Sequence, residues 1–440
     1  MMKQYDSYKD SGVEWIGKIP SHWEVASISL FTSSRSGGTP DRNKKEYWEN
    51  GTIPWMSSGE VNKEFVYDTE EYITPLGSSC SSSKVIQKDS VMVALNGQGK
   101  TKGMAAVLKI DAACNQSLCA FSCDKRLYYM FLFYNFKAMY KYLRSQTGDE
   151  TREGLAASFV KKQKISIPPI SEQQSIANYL ERTCNTIGKA IATQEKRVEL
   201  LKELRQNIIT QAVTRGINPD APFKDSGVEW IGEVPEHWEI KRIKHCAQIF
   251  GRIGFRGYTT QDLVLEGEGP ITLSPSNMQG RMNYDSCTYL SWFKYNESPE
   301  IQIHNGDVLF VKTGSTYGKS AYVENLPMEA TINPQIVVFK DFKDCNSKFF
   351  YYLLTTDIVQ SQVDNTVIGS TIPTIGQEKI RNYVIPIPPL SEQQEIVSYI
   401  ESQTARLDKS IEKAEHQIEL LQELKQSIIT EVVTGKRKVV

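Results

Sequence analysis

The chain has 440 residues, of which 40% are hydrophobic and 23% charged, as in ordinary proteins with two or three globular domains, and this excludes a fibrous or disordered protein. No apolar stretch is long enough to cross a bilayer, the N-terminus lacks a signal peptide, and the eight cysteines form no C-x-x-C pair. These features predict a cytoplasmic protein without membrane contact, disulfide framework or zinc site. The net charge is +6 on residues 1–216 and −7 on the remainder, so binding to nucleic acid would depend on local basic patches.

The first element along the chain is a segment that occurs twice. Lys9–Val25 (KDSGVEWIGKIPSHWEV) and Lys224–Ile240 (KDSGVEWIGEVPEHWEI) are identical at 13 of 17 positions. A second pair follows, because IPPISEQQSIANYL from Ile167 returns as IPPLSEQQEIVSYI from Ile387. Self-similarity at this long spacing predicts two copies of one unit, each a globular part followed by a long helix.

Residues 26–166 and 241–386 are the globular parts, which we predict to be mixed α/β domains rich in strands. Short β-branched and aromatic runs alternate there with clusters of Gly, Ser, Asn and Pro. The strand predictions are Ser90–Leu95, Met104–Ile110 and Leu118–Ser122 in the first copy and Asp307–Lys312, Ser320–Glu324 and Gln335–Phe339 in the second. The framework is shared and the loops differ, as expected of one scaffold with two recognition surfaces.

Basic residues concentrate in the loops of both globular parts. Ser81–Ile110 has five lysines and one acid, and Lys241–Gln261 has five basic residues and no acid. Basic side chains among glycine, serine and aromatic residues suit a phosphate backbone, and Arg, Gln and Asn suit base edges. Each stretch taken alone slightly favours an ordinary solvated surface.

One loop fits a permissive P-loop pattern, and no other catalytic motif is present. Ala94–Thr101 (ALNGQGKT) has the glycines and lysine of a phosphate cradle, but Gly103 and a β-type run follow where a P-loop requires a helix. A glycine-rich hairpin is favoured, with a nucleotide-binding protein as an alternative. His22 and His237 lie in the repeated segment, where a structural role is favoured over catalysis. The sequence therefore predicts a binding component that is not itself an enzyme.

Each copy ends in a predicted long helix of about 44 residues, or roughly 65 Å. In the motif P-P-I/L-S-E-Q-Q, Ser171 and Ser391 are predicted N-caps, and a glutamine three residues later completes a capping box. Apolar residues at heptad spacing, with +2 on Ser171–Arg215 and −5 on Ser391–Thr434, favour a coiled coil of these two helices with each other over two separately docked helices. The residues predicted at this interface are Leu180, Ile187, Ile191, Leu201, Ile208, Leu407, Ile411, Ile418, Leu421 and Ile428.

The doubled motifs resemble the specificity subunit of type I restriction–modification systems over nearly the whole chain. The resemblance rests on W-I-G-x-I/V-P-x-H-W-E before each globular part, on Gly37–Pro40 (GGTP), on the Asn-Gln turn before a strand, and on the motifs that open and end each long helix. It implies α+β target-recognition domains at residues 1–170 and 217–390, a central helix at 171–216, and a distal helix with a basic tail at 391–440. It also implies that the two helices form an antiparallel coiled coil.

Function and partners follow from the same resemblance. It implies that each domain reads one half of a split, asymmetric site on double-stranded DNA, and that the helical pair sets the spacer and docks two methyltransferase subunits. Those subunits would bring S-adenosylmethionine and methylate adenine, and restriction subunits would bring ATP- and Mg-dependent translocation and cleavage. The chain itself would bind no cofactor or metal. The alternative is a coiled-coil scaffold that joins two protein-binding domains and binds no DNA.

The residues predicted to contact DNA lie in loops. They are Arg35, Gly38, Thr39, Gln98, Lys100 and Lys102 in the first domain and Arg252, Arg256, Ser315, Thr316 and Lys319 in the second. The second copy has Gly251–Gly257 (GRIGFRG) in place of the G-G-T-P loop, so contacts cannot be transferred from one domain to the other.

Overall fold

The first repeat consists of short strands and helices followed by one long helix. The computed structural model describes residues 4–97, 99–146, 154–252, 254–279, 281–368 and 373–439. The strands of the first repeat are β1 (Tyr8–Asp10), β2 (Lys18–Pro20), β3 (Glu24–Ser27), β4 (Thr32–Ser36), β5 (Ile53–Met56), β6 (Phe65–Val66), β7 (Glu71–Ile73), β8 (Val91–Ala94), β9 (Ala105–Leu108), β10 (Ala113–Cys114), β11 (Leu118–Cys123) and β12 (Lys164–Ile167). Its helices are α1 (Pro75–Ser79), α2 (Tyr129–Ala138), α3 (Tyr140–Ser145), α4 (Ala157–Lys161) and α5 (Ile170–Arg215).

The second repeat has the same plan. Its strands are β13 (Phe223–Asp225), β14 (Glu233–Pro235), β15 (Glu239–Arg242), β16 (Gln248–Gly251), β17 (Leu263–Val264), β18 (Ile271–Leu273), β19 (Met278–Gln279), β20 (Arg281–Met282), β21 (Thr288–Leu290), β22 (Gln302–Ile303), β23 (Val308–Val311), β24 (Ser320–Tyr322), β25 (Ala330–Ile332), β26 (Ile336–Lys340) and β27 (Val384–Ile387). Its helices are α6 (Trp292–Asn296), α7 (Ser347–Leu354), α8 (Asp357–Asp364), α9 (Gln377–Arg381) and α10 (Leu390–Val433). None of the helices in the described ranges is both long and apolar enough to span a membrane.

Each repeat contains a main sheet and a second sheet, and the two-stranded sheets β1-β2, β12-β3, β13-β14, β15-β27 and β19-β20 lie beside them in sequence. The main sheet has the strand order β4-β11-β8-β9-β6 in the first repeat and β16-β26-β23-β24 in the second. The second sheet orders β10-β5-β7 and β17-β21-β18-β25-β22, and each contains one parallel pair, β5 with β10 and β18 with β25. The six predicted strands are present as β8, β9, β11, β23, β24 and β26.

The central strands of the main sheets are buried on both faces. In β8, Val91 and Val93 face a core that includes helix α2, while Met92 faces the opposite core. In β23, Phe310 and Leu309 likewise belong to different cores. Because side chains alternate across a strand, the uninterrupted apolar runs VMVA and VLFV are what such doubly covered strands require.

The chain forms two compact units, and both long helices contribute to each of them. One unit comprises residues 1–195 and 415–440, and the other comprises residues 196–414. In the first unit, Leu180 of α5 shares a hydrophobic core with Val432 of α10. In the second, Val213 of α5 shares a core with Ile400 of α10. The first half of each helix therefore packs with the second half of the other, which is the antiparallel pairing that the sequence predicts.

The residues predicted at the helix interface are buried or half-buried. Leu180, Ile187, Ile411 and Ile428 are buried, and Ile191, Leu201, Ile208, Leu407, Ile418 and Leu421 are half-buried. Within the second unit, Arg205 Nε of α5 donates to Asp408 Oδ1 of α10 at 2.8 Å. This ion pair accommodates a charged residue on the otherwise apolar face of α5.

The predicted N-caps of the long helices are wrong. Helix α5 begins at Ile170 and α10 at Leu390, so Ser171 and Ser391 lie inside the first turn. The first intrahelical hydrogen bond runs from the Gln173 N–H to the Pro169 carbonyl at 3.0 Å, which places Pro169 at the N-cap position. Proline fixes the backbone angle without a capping side chain, and the serine is displaced into the helix.

Candidate nucleic-acid interface

The loops that carry the predicted DNA contacts leave the main sheet at one edge. In the first repeat, Ala94 pairs with Leu118, and Ser36 pairs with Cys119. Strands β4 and β8 therefore end, and β11 begins, at the same edge of the sheet. We call the group of loops 37–42 and 95–103 and the turn 115–117 the first loop edge.

The second repeat has an equivalent edge. Gly251 pairs with Val337, and Val311 pairs with Ile336, so β16 and β23 end where β26 begins. We call loops 252–262 and 312–319 and the turn 333–335 the second loop edge. Residues far apart in sequence are thus brought together in each repeat by strand register alone.

Exposed polar side chains mark the first loop edge. Arg35 is exposed on β4 opposite Ala120, and Lys100 is exposed in the loop after β8. Thr39 is also exposed, and its hydroxyl donates to Gln116 Oε1 at 2.6 Å. Arg35, Thr39 and Lys100 therefore lie at one edge, as the prediction requires. Gln98 lies outside the described residues.

The glycines of the G-G-T-P loop are needed for close packing. The Gly38 N–H donates to the Cys114 carbonyl at 2.9 Å. A Cβ at Gly37 would lie 2.1 Å from the same carbonyl oxygen, and a Cβ at Gly38 would lie 2.0 Å from Ser82 Oγ. Gly38 is buried, so it shapes the loop from beneath and presents no side chain to a ligand.

The segment that resembles a P-loop is a hairpin between β8 and β9. The Gly103 N–H donates to the Ala94 carbonyl at 2.8 Å, and the strands on either side are antiparallel. The element directly after Lys100 is strand β9, so Lys100 does not precede a helix N-terminus as the lysine of a phosphate cradle would. Lys102 is only 3% exposed, and this burial disfavours the direct contact with DNA that the sequence predicts for it.

The second loop edge has a different set of side chains. Ser315 and Lys319 are exposed and Thr316 is half-exposed in the loop after β23. Gly314 has a φ of +105°, which lets this loop turn sharply away from the strand. Arg256 is half-exposed, and its Nη1 lies 3.4 Å from Glu300 Oε1. Ser315, Thr316, Lys319 and Arg256 are therefore accessible to a ligand.

Arg252 is a structural residue of the second loop edge. It is 5% exposed, and its Nε donates to the Ile332 carbonyl at 3.2 Å while Nη2 donates to Thr331 Oγ1 at 3.0 Å. Burial lowers the pKa of Arg252 from its ordinary value. Ile332 ends β25, the counterpart of β10, whose Cys114 carbonyl binds Gly38 in the first repeat. An arginine side chain thus takes the place that a backbone N–H has at the end of β10 in the first repeat.

Sequence reasoning overlooked two exposed glutamines at these edges. Gln116 and Gln335 lie in the turns before β11 and β26, which the sequence identified only as strand starts. In the second turn, the Gln335 N–H donates to Asn333 Oδ1 at 3.0 Å. The signal in the sequence was the asparagine that opens each turn, Asn115 in the first repeat and Asn333 in the second. Asparagine side chains commonly close such turns.

The repeated H-W-E and S-E-Q-Q motifs meet in space and anchor the long helices. Trp23 Nε1 donates to Glu172 Oε2 at 3.2 Å, and His22 Nε2 lies 3.1 Å from the same oxygen. In the second repeat, Trp238 Nε1 donates to Glu392 Oε1 at 3.1 Å. The histidine of this motif therefore has a structural partner, as predicted, and the motif holds the first turn of each helix.

A buried glutamine completes each anchor. Gln173 is fully buried, and its Nε2 donates to the carbonyls of Pro168 and Arg126 at 2.9 and 3.0 Å while its Oε1 accepts from the Tyr128 N–H at 2.8 Å. Gln393 makes the same set of hydrogen bonds to backbone groups of the second repeat. Because these partners are backbone atoms, the anchor tolerates sequence changes in the domain that it holds.

The opposite end of α10 packs against the N-terminal segment of the first unit. Gly435 has a φ of +73°, and a Cβ there would lie 2.3 Å from Pro20 Cδ. Gly12 has a similar φ of +66°, but nothing lies within 4 Å of the position of its missing Cβ. A side chain at Gly12 would therefore cause backbone strain alone, whereas a side chain at Gly435 would cause backbone strain and steric overlap.

We expect Gly435→Ala to destabilise the protein more than Gly12→Ala. Both substitutions incur about 1–2 kcal/mol for a left-handed backbone, and only Gly435→Ala adds roughly 1–3 kcal/mol of overpacking. Thermal and urea unfolding of the two variants checks this expectation. Equal losses of stability would show that the end of α10 does not pack on Pro20.

Comparison with known proteins identifies the family. A family model described as the type I restriction modification DNA specificity domain matches residues 20–200 and 235–420, which is most of the chain. The chain belongs to this family. The doubled match reproduces the two repeats, and the predicted specificity subunit is confirmed, whereas the scaffold and nucleotide-binding alternatives find no support.

Relatives and one solved structure agree with this assignment. The chain is 24% identical over 432 residues to the type I restriction enzyme MjaVIII specificity subunit of Methanocaldococcus jannaschii, covering 96% of this chain and 94% of the relative. It is 30% identical over 217 residues to the EcoR124I/EcoR124II specificity subunit of Escherichia coli, covering 45% and 49%. A chain solved in a study of complex assembly of the type I R-M system superposes with a TM-score of 0.69 at 16% identity, covering 94% and 98%. This likeness supports the fold of two α+β domains joined by paired helices.

Proposed function

We propose that this chain recognises a bipartite, asymmetric site on double-stranded DNA for a type I restriction–modification complex, with each repeat reading one half-site. The observation that carries the proposal is the pair of equivalent loop edges. Each is built on the same strand register, and each gathers exposed residues suited to phosphates and bases. A duplicated scaffold with two such edges fits two recognition events.

The two half-sites would differ in sequence. The first loop edge offers Arg35, Thr39 and Lys100, with Gln116 fixed beside Thr39. The second offers a different group, namely Arg256, Ser315, Thr316, Lys319 and Gln335. Base recognition depends on the pattern of donors and acceptors in the groove, so unlike edges read unlike sequences.

The long helices would set the spacer and dock two modification subunits. Leu200 and Leu204 on α5 are 51% and 47% exposed, and Leu420 and Leu424 on α10 are 50% and 48% exposed. Single exposed leucines are common, but here a pair at i and i+4 recurs at the same place in both repeats. Two equivalent apolar pairs suit two copies of one partner.

We expect Leu200→Glu with Leu204→Glu to remove one modification subunit from the complex, and Leu420→Glu with Leu424→Glu to remove the other. Charged side chains would be buried against the partner without compensation, which costs more than the apolar contact contributes. Native mass spectrometry of the reconstituted complex measures the stoichiometry. Lys202→Glu and Gln422→Glu, at exposed positions two residues from each leucine and therefore on another face of the helix, are the controls and should leave two copies bound.

The chemistry of the complex would reside in its partners. The modification subunits would supply S-adenosylmethionine and adenine methylation, and restriction subunits would supply ATP- and Mg-dependent translocation and cleavage in the cytoplasm. This chain would contribute sequence choice alone.

Methylation mapping tests the proposal. The chain would be expressed with its modification subunit in a host without other DNA methyltransferases, and methylated adenines would be mapped across the genome. We expect one split motif with two unlike halves and a fixed spacer. A single contiguous motif, or methylation without a motif, would contradict the proposal.

A further inference from the structure

An arginine is held in a fixed position beside the first loop edge. The Arg42 guanidinium lies over the Trp48 ring, with its Cζ 3.8 Å from the ring centroid. Its two terminal nitrogens bind the Glu71 carboxylate at the start of β7, Nη1 to Oε1 and Nη2 to Oε2, the latter at 2.9 Å. The side chain nevertheless remains 51% exposed. Arg42 is therefore held in one position and is still accessible to solvent.

Two tryptophans fix the loop that leads to this arginine. The buried Trp55 donates from Nε1 to the Gly38 carbonyl at 3.0 Å, and Trp48 donates from Nε1 to the Asp41 carbonyl at 3.1 Å. The two rings contact edge to face, with centroids 5.1 Å apart. The loop that carries Thr39 is thus tied at both ends to the aromatic pair that supports Arg42, and little side-chain entropy remains to be lost on binding.

The donors that Arg42 leaves free have a defined geometry. A guanidinium carries five N–H groups in a planar fork. Glu71 accepts one N–H from each of the two terminal nitrogens, Nη1 and Nη2. Among the described residues no hydrogen bond uses Nε. The Nε–H and the parallel N–H of the adjacent terminal nitrogen are therefore left as donors on one side of the guanidinium. Two parallel donors match O6 and N7 of guanine in the major groove.

The Glu71 carboxylate makes Arg42 better suited to contact a base than a phosphate. Phosphate contacts depend on net positive charge, and Glu71 neutralises the charge of Arg42 at short range. Pairing with Arg42 lowers the pKa of Glu71, so the carboxylate stays ionised at neutral pH. Guanine recognition depends on directed donors and is compatible with a neutral pair.

We propose that Arg42 reads a guanine in the half-site of the first repeat and that Trp48 and Glu71 position it. The inference rests on the proposed function, because it requires that the first loop edge meets DNA. It identifies Arg42 as a residue that determines specificity, guanine as the base that it recognises, and Trp48 and Glu71 as the residues that position it.

The test measures specificity base pair by base pair. Wild type, Arg42→Ala, Arg42→Lys and Glu71→Gln are assembled with modification subunits, and methylation rates are measured on duplexes in which each base pair of both half-sites is varied in turn. Arg42→Ala should reduce the preference for one G·C pair in one half-site by roughly 5- to 150-fold. Arg42→Lys should not restore it, since lysine lacks two parallel donors, and Glu71→Gln should reduce it partially.

Arg126 provides a matched control at the other end of β11. Its side chain is 64% exposed, binds Asp124 Oδ2 through Nη2 at 2.6 Å, and lies 4.7 Å over the Phe31 ring. Arg126→Ala should leave every base preference unchanged.

Two outcomes would overturn the inference. If Arg42→Ala lowered the methylation rate equally on all sequences and made its salt dependence shallower, Arg42 would be a phosphate contact. Unchanged preferences in both folded Arg42 variants, as judged by thermal unfolding, would make it a support of the loop alone. Failure of the proposed function is separate, since the wild-type complex itself would then lack a bipartite preference.

Discussion

Exchange of residues 26–166 for the corresponding segment of another type I specificity subunit should replace one half-site completely and leave the other unchanged. The hydrogen bonds that anchor the first turns of the long helices begin outside the exchanged segment, as with Trp23 and Glu172. Where they reach into it, as Gln173 does, they bind backbone groups of Arg126 and Tyr128 that any incoming domain supplies. The first loop edge lies wholly inside the segment, so the new domain should bring its own recognition surface.

Methylation mapping of the chimaera measures both half-sites at once. The complementary exchange of residues 241–386 is the control and should replace the other half-site. A change in both halves after either exchange would show that the two repeats do not read DNA independently.

Insertion of one helical turn within Leu200–Ile208 should abolish methylation at the native site and create sites with a longer spacer. One turn adds roughly 5.4 Å, which corresponds to about one to two base pairs at ~3.4 Å per pair. The insertion belongs between Leu204 and Arg205, where it leaves the exposed pair Leu200 and Leu204 intact. It also preserves the contact of Arg205 with Asp408 and the hydrogen bond from Gln206 Nε2 to the Thr355 carbonyl at 3.0 Å. Both loop edges remain intact, so the half-site sequences should persist.

An insertion of the same length between Pro219 and Asp220, in an exposed connection outside the helices, is the control. It should leave the spacer unchanged. Altered half-site bases after the helix insertion, or an unchanged spacer, would contradict the assignment of the helices as the spacer.

Much of the fold could be predicted from sequence because its signals are local or repeated. Heptad spacing and the absence of proline and glycine over long stretches indicated α5 and α10, and runs such as VMVA indicated buried strands. The error at Ser171 arose because a serine before a helical run usually caps it, whereas here the preceding proline takes that place.

The candidate site was less predictable because its loops are shaped by distant partners. Arg252 resembles a DNA contact in sequence, yet its guanidinium is buried and bonded to Ile332 and Thr331 of β25, about eighty residues away. Lys102 is also buried. Arg42 is held in place by Trp48, Trp55 and Glu71, and the pairing of β5 with β7 sets Trp55 beside Glu71. Such contacts leave no periodic signal in the sequence.

Site-specific photocrosslinking would test most directly that equivalent loop edges meet DNA. A photoreactive amino acid would replace the exposed residues Thr39 and Ser315 in separate variants of the assembled complex. Lys125 and Lys343, exposed beyond the opposite ends of β11 and β26, would be replaced as controls. Crosslinks from Thr39 to one half-site and from Ser315 to the other, with none from the controls, are the expected result. Crosslinks from the control positions, or from both loop edges to the same half-site, would contradict the account.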